Sequence, residues 1–140
     1  MSAVVRLAHV CIESVDLEAS EAFYALLGAR RQFEIRNVQD ELIGMYLCFG
    51  ESTFIEIVKI NELKRDGGAI DHFALEVEDV SVAAGILVAG GVEVSDSALG
   101  VDHTWMVTCH DPNGIFIELH QYTRRSLQKT GGMCRIDYTP

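Results

Sequence analysis

The stretch Phe54-Ile-Glu-Ile-Val58 returns about 62 residues later as Phe116-Ile-Glu-Leu-His120. Each string is apolar and β-branched with period two, the pattern of a strand, and each sets a glutamate at its centre. Upstream of each lies another strand-like string holding a histidine, "RLAHVCI" around His9 and "AIDHFALEV" around His72. His9 precedes Glu56 by 47 residues and His72 precedes Glu118 by 46. Four landmarks in the same order point to an internal duplication with a period of about 62 to 63 residues.

The elements between the landmarks repeat as well. A first strand over Val5 to Ile12 leads to an N-cap at Ser14 or Asp16 and to a helix carrying Leu17, Phe23, Leu26 and Leu27, closed by Gly28. Three strands follow, around Arg31 to Arg36, Ile43 to Phe49 and Thr53 to Ile60. The charged segment Asn61 to Gly68 reads as a linker. In the second half, a strand over Ile70 to Val77 precedes a helix capped by Asp79 or Ser81 and stopped at Gly90 and Gly91. Strands at "VEVSD" (92–96), "TWMVTC" (104–109) and "GIFIELHQY" (114–122) then complete the pattern, with "DPNG" (111–114) as the turn before the last. The expected fold class is α+β. One domain, 1–140, holds a first βαβββ module at 5–60, a second at 69–122 and a polar tail at 123–140.

With 49% hydrophobic and 23% charged residues, the chain can bury a core of its own. Asp and Glu outnumber Lys and Arg by 21 to 11, a net charge of −10, which argues against nucleic acid and anionic membrane surfaces as partners. No apolar run is long enough to span a bilayer, and the N-terminus lacks a signal-peptide layout. Cys11, Cys48, Cys109 and Cys134 form no CxxC pair, and the first three fall in expected strands, which reads as buried free thiols in a reducing cytoplasm.

Strand alternation puts Glu56 on the face of Phe54 and Val58, Glu118 with Phe116 and His120, His9 with Leu7 and Cys11, and His72 with Ile70 and Ala74. Taken singly, each histidine reads as a hydrogen-bonded core or edge residue, and each glutamate can look into solvent from an open sheet face. Taken jointly, two imidazoles and two carboxylates at matching positions are an N2O2 ligand set. A divalent cation would offset both negative charges and accept both neutral imidazoles, and Ni, Zn, Co, Fe or Mn suits such donors.

Other residues carry weaker signals. His120 can orient a ligand or meet a substrate, or simply lie at the surface. His103 and Trp105 share a strand parity and can line a pocket or pack. Arg30, Arg31 and Arg36 can receive a carboxylate or face water. Asp111 to Gly114 are sufficiently explained as turn formers, and no glycine run has the context of a phosphate loop.

The paired halves, with "LAHVCI", "FYALLG", "FIEIV", "IDHFALEV" and "DPNGIFIEL", resemble the vicinal oxygen chelate superfamily of glyoxalase I, extradiol dioxygenases, methylmalonyl-CoA epimerase, fosfomycin-modifying enzymes and bleomycin-binding proteins. The resemblance spans about Val5 to Tyr122. It implies two modules that together form an open barrel-like cleft, a homodimer and a small-molecule substrate. His9, Glu56, His72 and Glu118 match the glyoxalase I ligand positions, with Ni or Zn as the first candidates for the metal and Co, Mn or Fe as others. By this resemblance Glu118 is the main catalytic base and Glu56 moves the proton on the opposite face of an enediolate. Glutathione as co-substrate is not carried over, because "FYALLG" has no basic residue where the family shows "FYTRVLG" or "FYTKVLG". The resulting expectation is a cytoplasmic metal-dependent lyase or isomerase of glyoxalase I type. The alternatives are another metal-dependent reaction of the superfamily (epimerase, extradiol dioxygenase or thiol transferase) and a metal-free binding protein of the bleomycin-resistance type.

Overall fold

The computed structural model describes residues 6–63 and 70–136. Two compact units divide the chain at Asp66/Gly67. Each holds an open four-stranded sheet with one long helix against it, a βαβββ module in an α+β fold. No helix among the described residues is long and apolar enough to cross a membrane.

Module 1 runs β1 (His9–Ser14), α1 (Leu17–Leu26), β2 (Arg30–Arg36), β3 (Leu42–Phe49) and β4 (Thr53–Lys59). Its strands lie in the order β1-β4-β3-β2. The chain returns through the helix and two antiparallel turns, so the first strand ends parallel to the last, with Cys11 opposite Glu56. Asp16 caps α1 by accepting the Ala19 N–H at 3.0 Å. Along β4, Ile55 and Ile57 are buried on the helix side with Leu17, Phe23 and Tyr24 of α1, while Phe54, Glu56 and Val58 alternate onto the other face and stay half-buried.

Module 2 repeats the plan with β5 (Phe73–Glu76), α2 (Val80–Ala89), β6 (Ala98–Leu99), β7 (Thr104–His110) and β8 (Phe116–Tyr122), in the order β5-β8-β7-β6. A short helix, α3 (Leu127–Thr130), follows. Asp79 caps α2 as Asp16 caps α1. Val80, Ala83 and Leu87 are buried in α2 at the positions that Leu17, Ser20 and Tyr24 hold in α1. Both long helices are followed by a glycine at positive φ, Gly28 at 88° and Gly91 at 83°, where a side chain would be strained.

Several boundaries differ from the sequence reading. β1 begins at His9, because Arg6 to Ala8 lack ladder partners; Val5 lies outside the described residues, as do 64–69 of the expected linker and second-module start, and 137–140 of the tail. "VEVSD" is not a strand: the Val92 N–H is taken by Leu87 O at the end of α2, and the short β6 lies further on, at Ala98–Leu99. Cys11 is exposed rather than buried, as is Cys134, whereas Cys48 and Cys109 are buried free thiols.

Candidate functional site

The sheet face away from the helix carries a histidine–glutamate pair in each module. In module 1, His9 Nε2 is 3.1 Å from Glu56 Oε2. The pairing follows from register: Cys11 stands opposite Glu56, so His9 is two residues back on the same face of the parallel neighbour. Tyr46 stands opposite Glu56 on the other side, in β3, and donates its hydroxyl to Glu56 Oε2 at 3.2 Å, with His9 Nε2 3.5 Å away. Burial, and then the neighbouring Glu56, push the Tyr46 phenol up, which keeps it a donor. Phe33 stacks on Tyr46 at 4.4 Å and remains half exposed, at 49%.

In module 2, Ala74 stands opposite Glu118, and His72, just ahead of β5, reaches Glu118 Oε2 with Nε2 at 3.3 Å. His120, two residues along β8, places its Nε2 2.8 Å from the same oxygen. His72 Nδ1 meets Asp71 Oδ2 at 2.6 Å. An ionised carboxylate only accepts, so Nδ1 carries the hydrogen. The Nε2 of a neutral His72 would then present a lone pair to a carboxylate oxygen, and that arrangement calls for positive charge between or on the two groups. The His72 imidazole is accordingly raised from its ordinary value, first by Asp71 and, against the opposing effect of burial, by Glu118.

The four expected ligand residues thus fall into two pairs, His9 with Glu56 and His72 with Glu118. Among the described residues, no group of three or more His, Cys, Asp or Glu side chains that could hold a metal ion is found. The carboxylates are not buried in an apolar core: the Glu56 and Glu118 side chains keep 22% and 17% of their exposure. Each pair nonetheless fits two donors of one cation, since ligands bound at about 2.1 Å with roughly 90–110° between them lie about 3.0–3.4 Å apart.

The weaker candidates resolve differently. Arg31 forms ion pairs with Glu21 and Glu34, Arg36 with Glu34, and Arg30 binds Gly50 O, so each already has an intramodular partner. His103 sits in a turn at φ 62°, not in β7 with Trp105. In the turn 111–114, Asp111 Oδ1 accepts the Asn113 and Ile115 N–H groups, as turn formers should. Sequence reasoning missed Tyr46 and Asp71. The first requires the register of β3 on β4, and the second was legible only as the residue before His72.

A sequence profile described as Glyoxalase/Bleomycin resistance protein/Dioxygenase superfamily matches residues 8–108. No curated protein matches the chain. Among solved structures, a glyoxalase family protein from Enterococcus faecalis is 22% identical with a TM-score of 0.72, the match covering 84% of this chain and 98% of that one. A glyoxylase/bleomycin resistance protein/dioxygenase domain from Frankia sp. EAN1pec superposes at a TM-score of 0.74 and 16% identity, over 87% of this chain and 95% of that one. A bleomycin resistance determinant encoded on transposon Tn5 gives 0.64 at 21% identity, over 84% and 98%. At these identities the likeness is one of fold.

Proposed function

Because the chain belongs to the Glyoxalase/Bleomycin resistance protein/Dioxygenase superfamily, we propose that it is a metal-dependent enzyme of that superfamily acting on a small substrate with adjacent oxygens, its reaction not restricted to that of glyoxalase I. His9, Glu56, His72 and Glu118 are the proposed ligands. The observation that carries the reading is the His72 clamp: Asp71 holds Nδ1–H, and Nε2 faces Glu118 Oε2 at 3.3 Å, where a cation satisfies both groups. A bound divalent cation would stabilise negative charge developing on substrate oxygens. The protein's own part is to orient the His72 imidazole through Asp71 and to hold the carboxylates through Tyr46 and His120. Glu118 and Glu56 are the proposed bases for a proton on carbon beside those oxygens. The narrower lactoylglutathione lyase reading rests on the four-donor set alone.

Metal analysis of protein purified without chelator and supplied with Ni or Zn tests this reading. Stoichiometric cation should be lost in the His72→Ala/Glu118→Ala double variant and in His9→Ala/Glu56→Ala. Unchanged metal content in both refutes it. Solvent deuterium entering a carbon next to a carbonyl would then mark enolising chemistry, and oxygen uptake with a catechol would mark a dioxygenase.

A second reading is a metal-free small-molecule binding protein. It is favoured by the pairing within each module, where both carboxylates already have imidazole partners, and by the fold shared with the bleomycin resistance determinant. Saturable ligand binding unaffected by chelator, with no product formed, would select it.

A further inference from the structure

Module 2 has a cavity of about 250 Å³ lined by Glu118 and His120 together with Val101, Met106, Cys134 and Ile136. Two of these residues belong to the segment that leaves α3 through Gly131 and Gly132, at φ 69° and 112°. Val101 and Ile136 are 61% and 70% exposed, so these apolar side chains do not serve the core. They stand as wall around a space that an apolar group would fill, losing exposed hydrophobic surface as it did so.

Charge narrows what can enter. No lysine or arginine is among the described lining residues, and two carboxylates, Glu118 and Asp102, are. Asp102 is already committed, accepting Gln128 Nε2 at 2.7 Å and the Thr104 N–H at 3.2 Å, and Thr104 Oγ1 is bonded to Ser126 and Gln128. Of the carboxylate, hydroxyl and imidazole groups in the lining, those left for a guest are Glu118 and His120, beside the apolar Val101, Met106 and Ile136. An anionic body would meet acid without a fixed countercharge.

We propose that this cavity takes the body of the ligand: an uncharged aliphatic chain of roughly four to six carbons with its oxygens directed at Glu118, at about 30 Å³ for each water-sized unit. Residues 133–136 are the wall that sets its length. Such a guest is smaller than those of drug-sized sites, which span about 300–1,000 Å³. The placement of the oxygens rests on the reading of Glu118 as a metal ligand, whereas the apolar body does not.

The test follows the Met106 methyl by NMR in full-length protein labelled at methionine methyls, with buried Met45 as internal control. It is titrated with 1,2-butanediol, 1,2-octanediol and 3,4-dihydroxybutanoate, in zinc and again in EDTA. Butanediol should shift Met106 saturably in both conditions, about tenfold more tightly with zinc, and the anionic analogue should not bind in EDTA. Val101→Trp should abolish the shift. A chain ending at Gly132 should bring octanediol to within about threefold of butanediol. Absence of a saturable Met106 shift in either condition overturns the proposal, even where zinc binds stoichiometrically. An unaltered chain-length preference in the shortened protein overturns the wall. A saturable shift that zinc leaves unchanged keeps the cavity and counts against the metal reading alone.

Discussion

Asp71 Oδ2 lies 2.6 Å from His72 Nδ1, and the residue that precedes His9 at the matching place in module 1 is Ala8. The two histidines of the repeat are therefore oriented by different means. Outer partners of this kind fix the tautomer and aim of a ligating imidazole, and losing one typically lowers metal affinity by about 10- to 100-fold. Asp71→Asn should weaken zinc binding by that factor in a competition titration while leaving Tm nearly unchanged, since the Asp71 side chain is 88% exposed. Equal affinity in the variant would mean that Asp71 does not orient a ligand.

Tyr46 tests the corresponding support in module 1. Its hydroxyl donates to Glu56 Oε2 at 3.2 Å while its ring stacks on Phe33. Tyr46→Phe removes the donor and keeps the stack. Folding stability should fall only slightly, since one half-exposed hydrogen bond is lost and its partners remain open to water. Cation affinity should fall by about tenfold, as for other lost orienting partners. Thermal unfolding and zinc titration of the same sample separate the two effects.

Asp102 ties α3 to module 2. Its carbonyl accepts the Leu127 N–H, and its carboxylate accepts Gln128 Nε2. Burial would raise this carboxyl, but the Gln128 amide and the Thr104 N–H outweigh it and hold the group below its ordinary 3.8. With the folded value depressed, the stabilisation is fully present above 3.8 and is lost as pH falls through the lower folded value. The Tm gap between the native chain and Asp102→Asn should be constant at neutral pH and close only on acidification below 3.8. A gap that closes above pH 5 would contradict this assignment.

The duplication was legible because the residues that build it keep their spacing: Asp16 and Asp79 as caps, Gly28 and Gly91 as stops, Glu56 and Glu118 in their strands. Parallel pairing of first and last strands then delivers each histidine to its glutamate. What the sequence hid depends on contacts between strands. Tyr46 reaches Glu56 only through antiparallel register. The β6 position was missed because "VEVSD" has strand composition yet runs beside β7 with single bonds, such as Ser95 N to Thr108 O, instead of a ladder. The commitment of Arg31 to Glu21, ten residues away, was likewise invisible to a reading of "LGARRQFEIR" alone.

The repeat also supplies its own control for a buried polar contact. Ser14 Oγ and Ser20 Oγ lie 2.8 Å apart, and both residues are fully buried between β1 and α1. Ser14 also accepts the Asp16 N–H at the helix start. Module 2 has Val77 and Ala83 at the matching positions, so the same junction closes there with apolar side chains. Ser14→Val alone takes a partner from Ser20 and from the Asp16 N–H, and Ser20→Ala alone takes one from Ser14, at a cost of about 1–3 kcal/mol each. Ser14→Val with Ser20→Ala removes both hydroxyls and fills the space as module 2 does, so the double variant should cost less than the sum of the single ones, with a coupling of about 0.5–3 kcal/mol. Urea unfolding of the three variants measures it. Strict additivity would mean that the two hydroxyls stabilise the junction independently, and the 2.8 Å contact would then have no energetic weight of its own.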